Sequence, residues 1–374
     1  MIPFNKPAIV GNEMLYIQQA VDLGKLSGNG HFTQLCNTFF AEKYQFKKTF
    51  LTNSCTDALE MAALLCNLQP GDEVIIPSFT FPSCANAFLL RGAKIVFADC
   101  ETDVPNIDVQ EIEKLITQKT KAILVVHYAG IACNMKAITQ LAKKHNLFLI
   151  EDCAHSVNSF YEGKPLGSFG HFAAFSFHET KNIQCGEGGM LVVNDERFFE
   201  RAEILWEKGT NRVAFAEKKI SKYNWIDVGS SFLMSELQAA YLFAQLEKLE
   251  EIQQIRIQLW ETYNQQLKPG EEKGFFKLPS TTPTTGNNAH IFYLLCRNMQ
   301  ERDSLLKHLE ENSIMAVFHY LPLHQSPFYT ELFPSIHLHN TENFSQTMLR
   351  LPLYQALEVL DVDKICTQVL TFYN

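Results

Sequence analysis

Leu147-Phe148-Leu149-Ile150-Glu151-Asp152-Cys153-Ala154-His155-Ser156 decides how this chain is read. Residues 147–151 have the length and apolar character of a buried strand, and the run ends abruptly in an acid, a thiol and an imidazole. Further on, residues 171–177 read as another strand. That strand runs into His178-Glu179-Thr180-Lys181-Asn182 and the glycine-rich Gly186-Glu187-Gly188-Gly189. Ligands of open α/β sheets sit beyond the carboxyl ends of the strands, so both strand ends are places to expect chemistry. Taken singly, Asp152 reads as a helix cap and Lys181 as a solvated side chain. Their shared setting, with glycines that let backbone pass close to a ligand, makes them candidates together.

Outward from this segment, short apolar runs alternate with helical patterns. Strands are expected at 74–76, 94–98, 122–127 and 190–193, with helices at 83–90, 109–116 and 135–145. This alternation is the signature of βαβ units and a mostly parallel sheet. Leu242, Leu246, Leu249, Ile252, Ile255 and Leu259 recur at three- or four-residue steps, which predicts one long helix, or two in line, over 235–267. Residues 268–288 are rich in Pro, Gly and Thr; strands at 290–296 and 316–320 around a helix near 304–311 then form a smaller α+β unit. The expected division is an N-terminal arm (1–20), a large domain (21–250) and a small C-terminal domain (251–374).

The 374 residues are 46% hydrophobic and 20% charged, which fits a globular chain and excludes disordered, collagenous and coiled-coil classes. A net charge of −9 leaves no basic field for nucleic acid or an anionic membrane, so an anionic ligand must be held by local donors. The ten cysteines are scattered without a Cys-x-x-Cys pair, as in a reduced protein, and no metal site is expected. The first residues lack a signal-peptide core and no apolar run approaches the length of a spanning helix, so a cytoplasmic, soluble protein is expected.

Two more clusters complete the pattern. Thr52-Asn53-Ser54-Cys55-Thr56-Asp57 precedes an amphipathic helix, bringing hydroxyls and unpaired amides to a helix N-terminus that suits a phosphate. An ordinary cap is the plain alternative. Pro77-Ser78-Phe79-Thr80-Phe81 puts aromatics at the next strand end. A lysine, an anion cradle, a stacking face and a carboxylate for a pyridine nitrogen are what pyridoxal 5′-phosphate requires.

With these motifs in this order, the sequence resembles the DegT/DnrJ/EryC1 family of sugar aminotransferases, in the aspartate aminotransferase superfamily. The resemblance covers almost the entire chain and includes Ile2-Pro3-Phe4, Ser235-Glu236-Leu237-Gln238, Tyr320-Leu321-Pro322-Leu323-His324 and Leu351-Pro352-Leu353. It implies the fold type I architecture of pyridoxal-phosphate-dependent transferases: a large domain with a mostly parallel mixed sheet plus a smaller α+β domain. Within the family the pattern is nearest to that of dTDP-4-amino-4,6-dideoxygalactose transaminases, carried by Phe177-His178-Glu179-Thr180-Lys181-Asn182, Glu207-Lys208-Gly209-Thr210-Asn211-Arg212 and Met315-Ala316-Val317-Phe318-His319-Tyr320.

By motif, the resemblance implies that Lys181 is the Schiff-base lysine, Asp152 the partner of the pyridine nitrogen and His155 a neighbour of the phenolic oxygen. Phe81 would stack on the ring, and Cys55, Thr56 and Ser176 would hold the phosphate. It also implies L-glutamate as amino donor, a nucleotide-sugar substrate and a homodimer with shared active sites. Where many members read Gly-Tyr-Asn-Tyr-Arg-Met-Ser-Glu, this chain reads Gly229-Ser230-Ser231-Phe232-Leu233-Met234-Ser235-Glu236. Ser231 thus replaces an Asn that reaches the neighbouring subunit's phosphate. For the sugar diphosphate, Lys208, Asn211, Arg212, His319 and Tyr320 are candidates, each alone equally readable as a surface residue.

Three other readings compete. The sugar 3-dehydratases of this fold carry His in place of the lysine, whereas Lys181 is intact here. A non-catalytic regulator would need a damaged cofactor site, and only Ser231 departs from the pattern. A nicotinamide dehydrogenase would need Gly28-Asn29-Gly30-His31-Phe32-Thr33 to end in glycine.

Overall fold

The computed structural model describes residues 1–281 and 286–374. The apolar runs condense into a seven-stranded sheet built from β1 (Lys48–Thr52), β2 (Glu73–Pro77), β3 (Lys94–Ala98), β4 (Thr120–Val126), β5 (Phe148–Asp152), β8 (Phe172–Ser176) and β9 (Gly189–Val193). A two-residue hairpin, β6 (Phe160–Tyr161) and β7 (Lys164–Pro165), lies between β5 and β8. The sheet order is β1-β9-β8-β5-β4-β2-β3. The contacts β3/β2, β2/β4, β4/β5 and β5/β8 are parallel, while β9 runs antiparallel to both β8 and β1. The fold is therefore α/β with a mostly parallel sheet.

Side chains along a strand alternate between faces, and here both faces are covered. Leu51, Ile75, Ile123 and Leu149 enter one core, while their neighbours Phe50, Val74, Leu124 and Ile150 enter the other. A third core surrounds the antiparallel pair β10 (Phe292–Leu295) and β11 (Met348–Leu351). The helix Leu249–Glu272 passes from one core to another: Leu249 and Ile252 pack beside the large sheet, Leu259, Trp260 and Tyr263 beside the small one. Ile2 joins that third core through a parallel bridge to Ile314.

Several local expectations change. The helical stretch takes the second of its two readings, as Glu236–Glu247 and Leu249–Glu272, but the latter runs past 267, through Pro269, into the segment rich in Pro, Gly and Thr. The helix expected near 304–311 starts earlier, at Met299, because the Asn298 side chain accepts from the Glu301 amide and caps it. Residues 316–320 are not a strand. They keep a single bridge, Val317 to Arg350, and then turn away so that His319 and Tyr320 reach a cavity. Strand β1 goes unread in the sequence because its apolar run is short and starts at a lysine. The turn at Gly28 and Gly30 is packed against the protein's own Met234 and Glu236. A Cβ on Gly30 would lie 2.5 Å from Glu236 Cδ, and the amides of Gly30, Phe32 and Thr33 all donate to the Glu236 carboxylate.

Candidate active site

At the carboxyl ends of the parallel strands lies a cavity of about 1440 Å³ that also touches the small sheet. Asp152, the last residue of β5, and Ser176, the last of β8, face it, as do His155 and Lys181 from the turns that follow. Cys55, Thr56, Phe81, His319 and Tyr320 also line it.

The anion cradle is the start of the helix Cys55–Leu65. Ser54 caps it by accepting from the Asp57 amide at 3.0 Å, which leaves the Cys55 and Thr56 N–H groups without a hydrogen bond among the described residues. Thr56 Oγ1 is 2.7 Å from Ser83 Oγ. The turn presses against β9, where a Cβ on Gly189 would lie 2.3 Å from the Ser54 carbonyl, so only glycine permits the approach. Ser176 Oγ accepts the His178 amide at 3.4 Å and keeps its own proton for a ligand.

Asp152 is buried. Its Oδ1 accepts the Ala154 amide at 2.9 Å and its Oδ2 accepts the Cys84 thiol at 2.9 Å. Lys181 is half-buried, and burial lowers its proton affinity to about 8 against the partial compensation of Cys55 and Asp152. His155 Nδ1 accepts the Ala129 amide at 3.2 Å, so its proton sits on Nε2. Burial, reinforced by the charges of Lys181 and Arg350, holds this imidazole well below the usual histidine range and keeps it neutral. Phe81 is 57% exposed at the cavity, with its ring 6.3 Å from that of Tyr320.

Four sequence candidates lie elsewhere. Lys208, Asn211, Arg212 and Ser231 are absent from the cavity lining and belong to an excursion between Glu207 and Ser231, which pair through an isolated bridge. Asn211 accepts the Asn224 amide, and Asn53 donates to the Ser231 carbonyl. The same excursion exposes Trp225 and Ile226.

Other cavity residues escaped the sequence reading. Arg350, on β11, places Nη1 3.2 Å from His319 Nδ1 and its guanidinium 5.2 Å from the Phe4 ring centroid. Its signal was a charge inside the apolar run Met348–Leu351. His290 packs at a tilt of 33° against His155, with ring centroids 4.4 Å apart, and donates from Nδ1 to Asn182 Oδ1 at 2.8 Å. Cys84 had no signal, being one small residue within a helix.

One buried group resembles a metal cluster: His127, Glu151 and Cys153. Its histidine and carboxylate are already engaged. His127 Nδ1 accepts the Cys133 amide and its Nε2 faces Glu151, so these two form a hydrogen-bonded knot, and burial holds the Cys153 thiol beside them protonated.

Comparisons with known proteins agree with this fold. The model of the DegT/DnrJ/EryC1/StrS aminotransferase family matches residues 7–370. A GDP-perosamine synthase of Escherichia coli O157:H7 is 32% identical over 100% of this chain and 99% of its own. The spore coat polysaccharide biosynthesis protein SpsC of Bacillus subtilis is 32% identical over 98% of this chain and 96% of its own. Among solved structures, Spr1654 of Streptococcus pneumoniae, a proposed sugar aminotransferase in its PMP form, superposes with a TM-score of 0.93. It is 26% identical, covering 100% of this chain and 99% of that one.

Proposed function

The chain belongs to the DegT/DnrJ/EryC1/StrS aminotransferase family, and we propose that it moves the amino group of L-glutamate to carbon 4 of dTDP-4-keto-6-deoxy-D-glucose. The products are dTDP-4-amino-4,6-dideoxy-D-galactose and 2-oxoglutarate, the sugar serving a surface polysaccharide of the enterobacterial common antigen type. At the level of the family it is a sugar aminotransferase acting on the keto group of a nucleotide sugar, and its cofactor is pyridoxal 5′-phosphate. One observation carries the reading: a lysine of lowered proton affinity and a buried carboxylate share a cavity with two helix-N-terminal amides that are unpaired among the described residues.

The residues present fit the cofactor, because Cys55 and Thr56, whose amides have no hydrogen bond among the described residues, line the same cavity as Asp152, Ser176 and Lys181. When bound, pyridoxal 5′-phosphate supplies the carbonyl group that takes up and hands on the amino group, and a ring that holds the electron pair left when a C–H bond breaks. Lys181 carries a proton to and from the reacting carbon, for which a proton affinity of about 8 suits an amine near neutral pH. Asp152 keeps a proton on the ring nitrogen through its unused lone pairs. His155 donates its Nε2–H to the phenolic oxygen, and Phe81 covers a face of the ring. Cys55 and Thr56 through their amides, and Thr56 and Ser176 through their hydroxyls, take the phosphate.

The reading includes a homodimer with shared sites. Ser231, Lys208, Asn211 and Arg212 lie outside their own cavity on an excursion with exposed Trp225 and Ile226, which supports their service to a second copy. His319 and Tyr320 contact the sugar nucleotide from within the chain. The division at 1–20, 21–250 and 251–374 fits the change of cores along the helix Leu249–Glu272. No helix among the described residues is long and apolar enough to cross a membrane; the reading places the enzyme in the cytoplasm.

The dTDP assignment rests on the sequence motifs, while the GDP-perosamine synthase relative favours a guanosine nucleotide. The test supplies purified enzyme with glutamate and either the dTDP- or the GDP-linked 4-keto-6-deoxy sugar, with the product's configuration read by NMR. Amination of the dTDP sugar to the galacto product is expected. Preference for the GDP sugar, or a gluco product, would overturn the assignment of substrate, and failure to aminate any 4-keto sugar would overturn the reaction.

A further inference from the structure

Asp152 is held by two donors, and one of them is unusual. The amide of Ala154 is fixed by the backbone turn after β5, but the donor on Oδ2 is a side chain from a different element, Cys84 in the helix Ser83–Leu89. Cys84 is buried, and its sulfur lies 3.0 Å from Thr80 Oγ1, itself buried. The three groups form a chain from hydroxyl to thiol to carboxylate.

The protons on this chain can be placed. A carboxylate has no donor to offer, so a 2.9 Å contact between Sγ and Oδ2 requires the proton on sulfur. Burial, and then the charge of Asp152, raise the Cys84 thiol far above its ordinary value, which keeps it in that form. With its proton committed to Asp152, the sulfur is left to accept from the Thr80 hydroxyl. A carboxylate anchored only at Oδ1 would pivot about the Ala154 contact. A second anchor on Oδ2 fixes its plane and leaves a lone-pair direction on each oxygen for a ligand.

We propose that Cys84, backed by Thr80, is a positioning residue for Asp152: its thiol fixes the carboxylate plane so that the carboxylate meets the cofactor's ring nitrogen. This rests on the reading of Asp152 as the partner of that nitrogen.

The test uses Cys84→Val, which nearly preserves shape and removes the donor, and Cys84→Ser, which preserves a donor. Apoenzyme is titrated with pyridoxal 5′-phosphate, and the visible band is followed for affinity and for its pH midpoint. Loss of a hydrogen bond to a charged group predicts a roughly tenfold weaker affinity and a moved midpoint for Cys84→Val. Cys84→Ser should stay within about threefold of the parent, since a hydroxyl also donates. A Cys84→Val enzyme that matches the parent in both readings, or a Cys84→Ser enzyme as impaired as Cys84→Val, would overturn the proposal. If Cys84→Val does not fold, Thr80→Val keeps the thiol and should shift both readings in the same direction by a smaller amount; no shift would overturn it. Asp152→Asn separates the two layers. A band unchanged by Asp152→Asn removes the role of Asp152 and the proposal with it, whereas a band moved by Asp152→Asn but not by Cys84→Val removes Cys84 alone.

Discussion

Glu151 and Asp152 are neighbours on β5, and the two-residue period of a strand sends their carboxylates to opposite faces of the sheet. Both are buried acids, yet their surroundings differ in kind. Glu151 accepts from four donors: the amides of Phe169 at 2.8 Å and Gly170 at 2.7 Å on Oε1, and the Gly167 amide at 2.9 Å with His127 Nε2 at 3.1 Å on Oε2. A carboxylate offers about four lone-pair sites, so Glu151 is saturated and serves as a structural clamp on the loop before β8. Asp152 accepts from two donors among the described residues and faces a cavity that contains an amine. A saturated acid holds the fold; an acid with sites to spare can bind a ligand.

The largest expected effect lies on the Asp152 face. Lys181→Ala should lower turnover by more than about a thousandfold, since the proton carrier is lost, while the protein still folds and melts no earlier than the parent. Steady-state rates and a melting curve check both halves, and turnover well above background would break the assignment.

The paired variants Asp152→Asn and Glu151→Gln test the contrast itself. Asp152→Asn should lose about a hundredfold or more in turnover at nearly unchanged stability, because a neutral amide cannot hold charge on a ring nitrogen. Glu151→Gln should do the reverse: its amide nitrogen faces backbone donors, leaving buried N–H groups unpaired at a cost of about 2–4 kcal/mol, with turnover of the folded enzyme within a few-fold of the parent. Denaturant midpoints and kcat for both variants decide it. Equal effects on both properties in both variants would erase the distinction.

This contrast also marks how far the sequence could be read. Asp152, His155 and Lys181 were legible because each follows an apolar strand run and carries a group that an apolar core rejects. The cradle was legible because Ser54 and Asp57 stand before a helical pattern. What stayed hidden depends on chain separation: Cys84 meets Asp152 across 68 positions, Arg350 meets His319 across 31, and Glu236 fills the turn at Gly30 across 206. Periodicity carries no record of such contacts. The segment 316–320 misled for a related reason, since its β-rich composition is spent on lining a cavity rather than on a ladder. Lys208, Asn211 and Arg212 share a motif with one another but not a cavity with Lys181.

A smaller effect concerns pH. Burial takes Lys181 from its ordinary 10.5 to about 8, so between those values the unfolded chain binds more protons than the folded one. Stability of the cofactor-free protein therefore rises with pH across that window. Relative to Lys181→Met, its deficit should be full below pH 8 and shrink toward pH 10.5, as read by denaturant unfolding at stepped pH. A pH-independent difference would show that the amine is not desolvated. The smallest effect is that of Ser176→Ala, which removes one phosphate donor and should weaken pyridoxal 5′-phosphate by about three- to tenfold without altering the melting temperature of the apoprotein.

The central claim is that Lys181 is the amine that holds the cofactor. Reducing the holoenzyme with borohydride, digesting it and mapping the pyridoxyl group by mass spectrometry tests this directly. The account predicts the label on the peptide containing His178-Glu179-Thr180-Lys181-Asn182, at Lys181 alone. A label on any other lysine, or none on enzyme that has bound pyridoxal 5′-phosphate, would contradict it.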